Sequence, residues 1–391
     1  MSLPGGPTTP VPSSVPTPLV PPRVRPGAGA VVVVVLLGVL GLGAVGTVGM
    51  LVGPPAFPAA VALALVPLVG VLAAVLWVDR WEPEPWQALA VAFGWGASVS
   101  VLVALVANTT AQTVLLAAGV DELRAGAWTA TFVAPVVEEG IKGLGVLVLF
   151  LVWRRYVDGP VDGVVYAATV AAGFAFVENV LYFGQAVGEA AVLGDDGGVA
   201  VVFVLRAVMS PFAHVLFTAA VGLALGLSVR RGRAAWVGAF PLGLVVAMLL
   251  HALWNGSASL GDGMGFLVLY VVVQVPLFLG TVALVVWLRH REAVVVRTRL
   301  AEYAAAGWFA PHEVQMLASL RLRRTARRWA GRSGGPSGRR AMRAFQTAAS
   351  RLAHQRQRAA TGRDRLWVAR QDEAALLVEL SRLRRDLVRL R

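Results

Sequence analysis

Long apolar runs separated by short polar segments make up most of the chain before about residue 288. Each run has about twenty residues or more, the length that an α-helix needs to cross a hydrocarbon core of about 30 Å. Eight runs meet this condition, at about 28–52, 56–78, 87–107, 129–153, 164–187, 201–228, 234–256 and 264–288. The pattern predicts an all-α polytopic membrane protein with about eight transmembrane helices, in which residues 28–288 form one membrane domain.

The segments on either side of this domain differ from it in composition. Residues 1–27 are rich in Pro, Ser and Thr, which predicts a disordered leader. Residues 289–391 carry 24 Arg against 8 acidic residues, whereas the whole chain has a net charge of +13. This segment predicts a basic helical cytoplasmic tail, interrupted by a Gly/Ser-rich break at 331–338.

Two features of the tail point to possible partners. Its last leucines have roughly heptad spacing, which is typical of either a short coiled coil or a helix lying on the membrane. They are Leu376, Leu377, Leu380, Leu383, Leu387 and Leu390. A basic segment beside a membrane is expected to contact anionic lipid headgroups. Nucleic-acid binding is less favoured, because no aromatic interleaving or known binding signature accompanies the arginines.

Loop charges predict the orientation in the membrane. With the N-terminus placed in the cytoplasm, the inner loops carry nearly all of the loop arginines, and the outer loops carry only Arg124. The inner ones are Arg80, Arg154, Arg155, Arg230, Arg231, Arg233, Arg289 and Arg291. This positive-inside pattern predicts a multi-pass cell-membrane protein with both termini in the cytoplasm.

The absence of cysteine limits the chemistry. Disulfides, thiolate nucleophiles and sulfur ligands are excluded, so a metal would be held by nitrogen and oxygen. The metal-binding motif His-Glu-x-x-His and the aspartyl motif Gly-x-Gly-Asp are both missing from the sequence.

Ionisable residues inside the apolar runs are the strongest sign of a functional site. Lys142 is the only lysine of the chain, and Glu138 and Glu139 precede it by about one helical turn. Each such residue costs roughly 3 kcal/mol at membrane depth even on lenient scales, so three in one span indicate a function. Later runs add Glu178, His214 and His251, with Asn255 one turn after His251.

These residues are expected to lie at one level of the bilayer. At a rise of 1.5 Å per residue, the four helices place their polar groups in a single layer of the outer half. Spacings of three and four put Lys142 on the same helix face as both glutamates, where its charge can keep one carboxylate ionised while the other is protonated. That pair suits acid–base chemistry on a water molecule, and two His with up to three Glu suffice for a His₂Glu zinc site.

Each motif also has a purely structural interpretation. A Glu–Lys pair can satisfy itself, a lone histidine can join two helices, and Asn255 can be a solvated residue near the outer end of its span. These interpretations lose weight in combination, because each would place a costly polar group at the same level by chance.

Together the motifs resemble a known family. Glu138-Glu139-x-x-Lys142, Phe174-x-x-x-Glu178, His214 and His251-x-x-x-Asn255, in this order on successive helices, are similar to the PrsW family of intramembrane metalloproteases. That family is related to the CAAX-processing membrane endopeptidases. The resemblance covers about residues 28–290 and excludes the tail. The second motif ends in His in the relatives, where this chain has Glu178.

The resemblance implies a peptidase that cuts membrane-associated proteins near the outer face, with anti-sigma-factor-like regulators as one substrate class. In this hypothesis Glu138 or Glu139 is the base that activates water. Glu178, His214 and His251 are the metal ligands, or positioning groups if no metal binds. Lys142 tunes the carboxylates, and Asn255 orients His251 or stabilises the oxyanion.

Two other functions compete with this hypothesis. A proton- or ion-coupled transporter also uses intramembrane acids and histidines, but it predicts internal repeats, and none is evident between the two halves of the chain. A non-enzymatic adaptor acting through the basic tail would not need so many intramembrane ionisable groups.

Overall fold

The computed structural model describes residues 28–154, 157–229, 231, 234–259, 263–360 and 366–389. These residues form fifteen helical segments: α1 (Ala28–Val52), α2 (Phe57–Val78), α3 (Trp86–Trp95), α4 (Val101–Ala117), α5 (Glu122–Trp128), α6 (Ala134–Val152), α7 (Pro160–Leu193), α8 (Gly197–Phe203), α9 (Ala213–Ser228), α10 (Trp236–Ala258), α11 (Gly263–Leu269), α12 (Val275–Ala305), α13 (Pro311–Leu317), α14 (Leu320–Ala360) and α15 (Leu366–Val388). Helix α14 has a kink at Gly334 and Gly335, whose backbone angles are not helical, within the Gly/Ser-rich segment at 331–338. The predicted leader at 1–27, Arg155, Arg230, Arg233 and Leu390 lie outside the described residues.

The expected all-α polytopic membrane protein is confirmed. Seven helices in the described part of the chain are long and apolar enough to cross a membrane, whereas the sequence predicted about eight. The expected span at 129–153 is not among the seven, because its helix α6 carries Glu138, Glu139 and Lys142. It nevertheless packs inside the bundle, where its polar face is covered by other helices.

Short π-helical turns connect several helices into longer rods. They occur at Gly96–Ser100, Thr129–Val133, Val204–Met209 and Tyr270–Gln274. π-helical turns are often found at functional sites. The third leads into a break at Ser210 and Pro211, where proline cannot donate the hydrogen bond that a continuous helix needs. The break lies just before His214.

Helix α7 forms the centre of the membrane domain, and much of its length is buried. Glycines allow it to lie directly against α9, since a Cβ on Gly163 would be 2.0 Å from the carbonyl oxygen of Gly222, and one on Gly226 would be 2.4 Å from that of Gly159. Small residues at such crossings let helix backbones touch in a membrane. This close packing brings Glu178 of α7 next to His214 of α9.

The tail forms its own helical core after α12 leaves the membrane domain. Its buried side chains include Leu300, Leu317, Phe345 and Leu352. The leucine stripe of α15 contributes Leu380, Leu383 and Leu387 to this core. The stripe thus packs within the chain, which satisfies its apolar face without the coiled-coil partner or membrane surface that the sequence left open.

The tail contacts the loop between α2 and α3. Trp81 from this loop is buried in the core of the tail. His354 Nδ1 of α14 lies 2.5 Å from a carboxylate oxygen of Glu82, and Arg358 pairs with Asp158, just before α7. The tail is therefore held by one buried aromatic ring and two ion pairs.

The Glu82–His354 pair predicts a pH dependence for this contact. Burial lowers the pKa of His354, but Glu82 and two further acids outweigh burial and raise the pKa from 6.5 to about 9. Because the folded pKa is the higher one, the stabilisation is fully present below about pH 6.5 and is lost as the pH rises through about 9. This rise in the pKa of His354 corresponds to about 3 kcal/mol of folding free energy.

The chain has no cysteine, so Gln87→Cys and Gln371→Cys, both exposed, can carry a dye pair. The temperature at which energy transfer between the dyes is lost, read as separation of the tail, is expected to fall as the pH rises from about 6 to about 10. A matched protein with His354→Gln should lose most of this fall. An identical decline in both proteins would show that the pair does not hold the tail.

Candidate active site

Helix α6 places three charged side chains in the interior of the membrane domain. Glu139 and Lys142 are fully buried, and Glu138 is nearly so. Lys142 Nζ lies 2.5 Å from Glu139 Oε1 and 3.8 Å from Glu138 Oε2. It also contacts His214 Nδ1 at 3.2 Å and lies over the Phe174 ring at 4.2 Å. Lys142 thus lies on the same side of α6 as the two acids, as their spacing predicted. It occupies the centre of a polar cluster made of Glu138, Glu139, Lys142, Glu178, His214 and His251.

Glu139 has both carboxylate oxygens occupied. Oε1 accepts from Lys142 and lies 3.0 Å from His251 Nδ1, while Oε2 accepts from the Thr218 hydroxyl at 2.8 Å. An ionised carboxylate can only accept, so His251 Nδ1 carries the proton and Nε2 is left as a free acceptor. Carboxylates that hold the far nitrogen of an imidazole in this way orient metal-binding histidines.

Only one of the two carboxylate oxygens of Glu138 accepts a hydrogen bond in the described structure. Oε1 accepts from Asn108 Nδ2 at 3.2 Å. Oε2 is buried, has no hydrogen-bond partner among the described residues, and lies 3.9 Å from His251 Nε2. A buried carboxylate oxygen without a partner is costly, so it marks a place where a ligand would be stabilised.

Glu178 is held on the other side of His214. Its Oε2 lies 2.7 Å from His214 Nε2 and accepts from Arg206 at 3.1 Å. Arg206 also lies 3.6 Å from the centre of the Tyr182 ring. The predicted ligand Glu178 is therefore placed behind His214, in a position that orients this imidazole and is itself neutralised by Arg206.

Glu138, His214 and His251 form the group that best fits a metal ion. Each offers one ligand atom, and these atoms lie within 4.8 Å of one another. The donor types, two imidazoles and a carboxylate, suit zinc and related metals. Formally, Lys142 and Arg206 balance two of the three nearby carboxylates, so the third leaves one negative charge for a cation. The residues present thus fit a metal by donor type, spacing and charge, and His214 would bind it through Nδ1 once this nitrogen no longer accepts from Lys142.

Asn255 lies apart from this group. Its amide nitrogen donates to the carbonyl oxygen of Ala130 at 2.7 Å, in the π-helical turn that leads into α6. This contact joins α10 to the start of α6, whereas Asn255 was expected to orient His251 or to stabilise an oxyanion.

Several neighbours of the site were not singled out from the sequence. Thr218 follows His214 by four residues, so helical periodicity could have identified it. Asn108 directly follows the third predicted span, and Thr109 and Thr110 after it make it look like part of a polar loop. Phe217, whose ring stacks on His251 at 4.9 Å, looks in the sequence like any other core aromatic.

An apolar cavity of about 280 Å³ lies at the helix break that precedes His214. It extends from the helix break at Ser210 and Pro211 past Phe217 to Trp254 and Phe278. Phe217 therefore contacts both the cavity and His251.

Comparison with known proteins agrees with the motifs. The family described as "PrsW family intramembrane metalloprotease" matches residues 84–281. The chain is similar to the protein named Protease PrsW from Clostridioides difficile (strain 630), with 31% identity over 164 residues that cover 41% of this chain and 63% of that relative. It is also similar to Protease PrsW from Bacillus subtilis (strain 168), with 33% identity over 121 residues, or 30% of this chain and 48% of the relative.

The chain thus spans less than two thirds of each of these relatives. No solved structure matches it. The family match covers about half of the chain and includes every residue of the polar cluster. The resemblance inferred from the sequence motifs is confirmed, and the chain belongs to the PrsW family of intramembrane metalloproteases.

Proposed function

We propose that the protein is an intramembrane endopeptidase that hydrolyses membrane-associated proteins with a water molecule held by Glu138, His214 and His251. The proposal depends on the convergence of these three side chains from three different helices, around a carboxylate oxygen with no hydrogen-bond partner in the described structure. Buried ionisable groups inside a membrane are costly and are retained where they serve a function. The family does not favour the alternative of a transporter.

Within this site we assign different roles to the two adjacent glutamates. Glu138 contacts the reacting water, because its Oε2 can accept a proton and faces both imidazoles. Glu139 is a positioning residue, since it holds His251 with Nε2 turned toward Glu138. Glu178 positions His214 in the same way. Lys142 tunes the two carboxylates, since its ammonium lies 2.5 Å from Glu139 Oε1 and 3.8 Å from Glu138 Oε2.

We propose zinc as the metal. His214 and His251 would hold it beside Glu138, and a zinc ion supplies Lewis acidity that makes a bound water a nucleophile near neutral pH. Lys142, close to His214 Nδ1, adds positive charge beside this donor set and is expected to weaken metal affinity relative to a site without it.

The apolar cavity supports a substrate class. Phe217 lines it and stacks on His251, and the rest of the lining is mostly apolar, so it suits a large apolar side chain of a substrate segment in the bilayer. Membrane-anchored regulators of the anti-sigma-factor type are the substrates we propose. We also propose that both termini of the protease lie in the cytoplasm, which the positive-inside pattern of the loop arginines supports.

The test uses the purified full chain in vesicles with a reporter whose transmembrane segment carries leucines near its outer end. Mass spectrometry is expected to find new termini within that segment, and metal analysis of the same preparation is expected to find about one zinc per chain. Cleavage confined to soluble parts of the reporter, or uptake of ions without cleavage, would contradict the proposal.

A further inference from the structure

A second cavity, of about 480 Å³, lies between the tail and the α2–α3 loop, at the end of the membrane domain where the tail docks. Five arginines line it: Arg80, Arg323, Arg324, Arg327 and Arg343. Its volume falls in the range that is typical of small-ligand sites. None of its residues belongs to the polar cluster of the proposed active site.

The positive charge of this cavity has little compensation. No carboxylate pairs with Arg80, Arg324, Arg327 or Arg343 among the described residues. Asp79 is the one acid in the lining, and burial raises its pKa to about 7, although it accepts hydrogen bonds from the backbone of Glu84. At neutral pH, at most one negative charge faces five guanidinium groups.

The arginines are held together by packing. Arg323 is buried and donates to the carbonyl oxygen of Leu317 at 2.6 Å and to the Ser350 hydroxyl at 2.7 Å. Burial and neighbouring Arg327 lower the pKa of Arg323 to about 9. Like charges collected around one cavity repel each other, and a bound anion would relieve this repulsion.

Guanidinium groups recognise one class of anion particularly well. They are planar and bind phosphate oxygens through two parallel hydrogen bonds. The rim of the cavity also carries an exposed apolar side chain. Leu76 lies in the last turn of the membrane-spanning helix α2 and is 58% exposed. A molecule with its phosphate among the arginines could therefore lay a hydrocarbon chain along Leu76.

We propose that this cavity binds the phosphate group of an anionic phospholipid at the membrane surface. Basic pockets at the cytoplasmic ends of transmembrane helices are suited to such headgroups. The site gives the expected contact between the tail and anionic lipid a defined location. It does not depend on the proposed protease activity.

The test compares lipids retained by the full-length protein. Wild-type protein in nanodiscs of equal parts phosphatidylcholine and phosphatidylglycerol is analysed by native mass spectrometry. It is expected to retain phosphatidylglycerol selectively, and an Arg324→Gln/Arg327→Gln/Arg343→Gln variant is expected to reduce this selectivity roughly tenfold or more. The single variant Arg343→Gln, at an exposed position, should give an intermediate loss and a control for folding.

A matched control removes the same charge elsewhere on the tail, through Arg321→Gln, Arg332→Gln and Arg340→Gln at exposed positions. It should keep the wild-type selectivity. Equal losses in the two triple variants would overturn the proposal in favour of general surface charge.

A second experiment adds inorganic pyrophosphate to the protein in pure phosphatidylcholine. Retention of pyrophosphate, without selectivity for phosphatidylglycerol in the mixed nanodiscs, would show that a free phosphate compound and not a lipid is the ligand.

Discussion

Glu138→Gln is expected to lower the rate of reporter cleavage by about a thousandfold, with the fold intact. Loss of a group that takes a proton in the reaction typically costs a hundredfold to ten-thousandfold. Glutamine keeps an oxygen that can accept from Asn108, and Lys142 keeps its contact with Glu139. The substitution thus removes the charge and the proton-accepting oxygen while it preserves most of the packing. The measurement is the initial rate of product formation in vesicles.

Glu84→Gln provides the matched control. Glu84 is buried at the edge of the membrane domain, where it accepts from the Tyr166 hydroxyl. Burial, with Asp162 nearby, raises its pKa to about 10, so it is protonated at neutral pH and the amide changes no charge. This variant should cleave at the wild-type rate. If Glu138→Gln did so as well, Glu138 would not contact the reacting water.

Lys142→Met is expected to destabilise the membrane domain by about 3–5 kcal/mol, the cost of leaving a buried charge without its partner. Lys142 and Glu139 are both inaccessible to solvent and lie 2.5 Å apart. Without the ammonium, Glu139 retains only Thr218 and His251 as hydrogen-bond donors. The free energy of unfolding in mixed micelles measures the effect.

The double variant Lys142→Met/Glu139→Gln separates the charge from the packing. It should recover most of the lost stability, because it removes the buried carboxylate together with its partner. The exposed pair Asp121–Arg124 serves as a reference, and Arg124→Met should cost no more than about 1 kcal/mol. Additive losses in the double variant would show that the two groups do not stabilise each other.

The sequence was sufficient to single out five ionisable side chains that lie together in the structure. Intramembrane charges are costly enough that Glu138, Glu139, Lys142, His214 and His251 stand out individually. Helical rise then predicted that they share one level. The structure brings all five together, because α6, α9 and α10 pack side by side.

The sequence could not predict which side of each residue faces which neighbour. Glu178 was expected to be a metal ligand, but it lies behind His214 with Arg206, and Asn255 reaches Ala130 and not His251. The spacing of residues along a helix predicts their depth in the membrane and the helix face that they share. Contacts between two helices also depend on how each helix is rotated and on how closely the two helices approach each other. The glycine contacts between α7 and α9 decide that approach, and each involves residues about sixty positions apart.

The tail shows the same limit. Heptad-like leucines in α15 required an apolar partner, but several partners would satisfy them equally well. The structure supplies one within the chain, in the form of α14. The arginine cavity also depends on this packing, since Arg80 and Arg327 are far apart in the sequence and become neighbours only when the tail docks.

A double-mutant cycle on reporter cleavage tests the central claim most directly. Glu138→Gln, His251→Ala and the double variant are compared with wild type in the same vesicles. If both side chains act on one water molecule, each single variant should lose nearly all activity, and the double variant should lose little more. Losses that multiply in the double variant, or a native rate for His251→Ala, would show that Glu138 and His251 do not form a single hydrolytic centre.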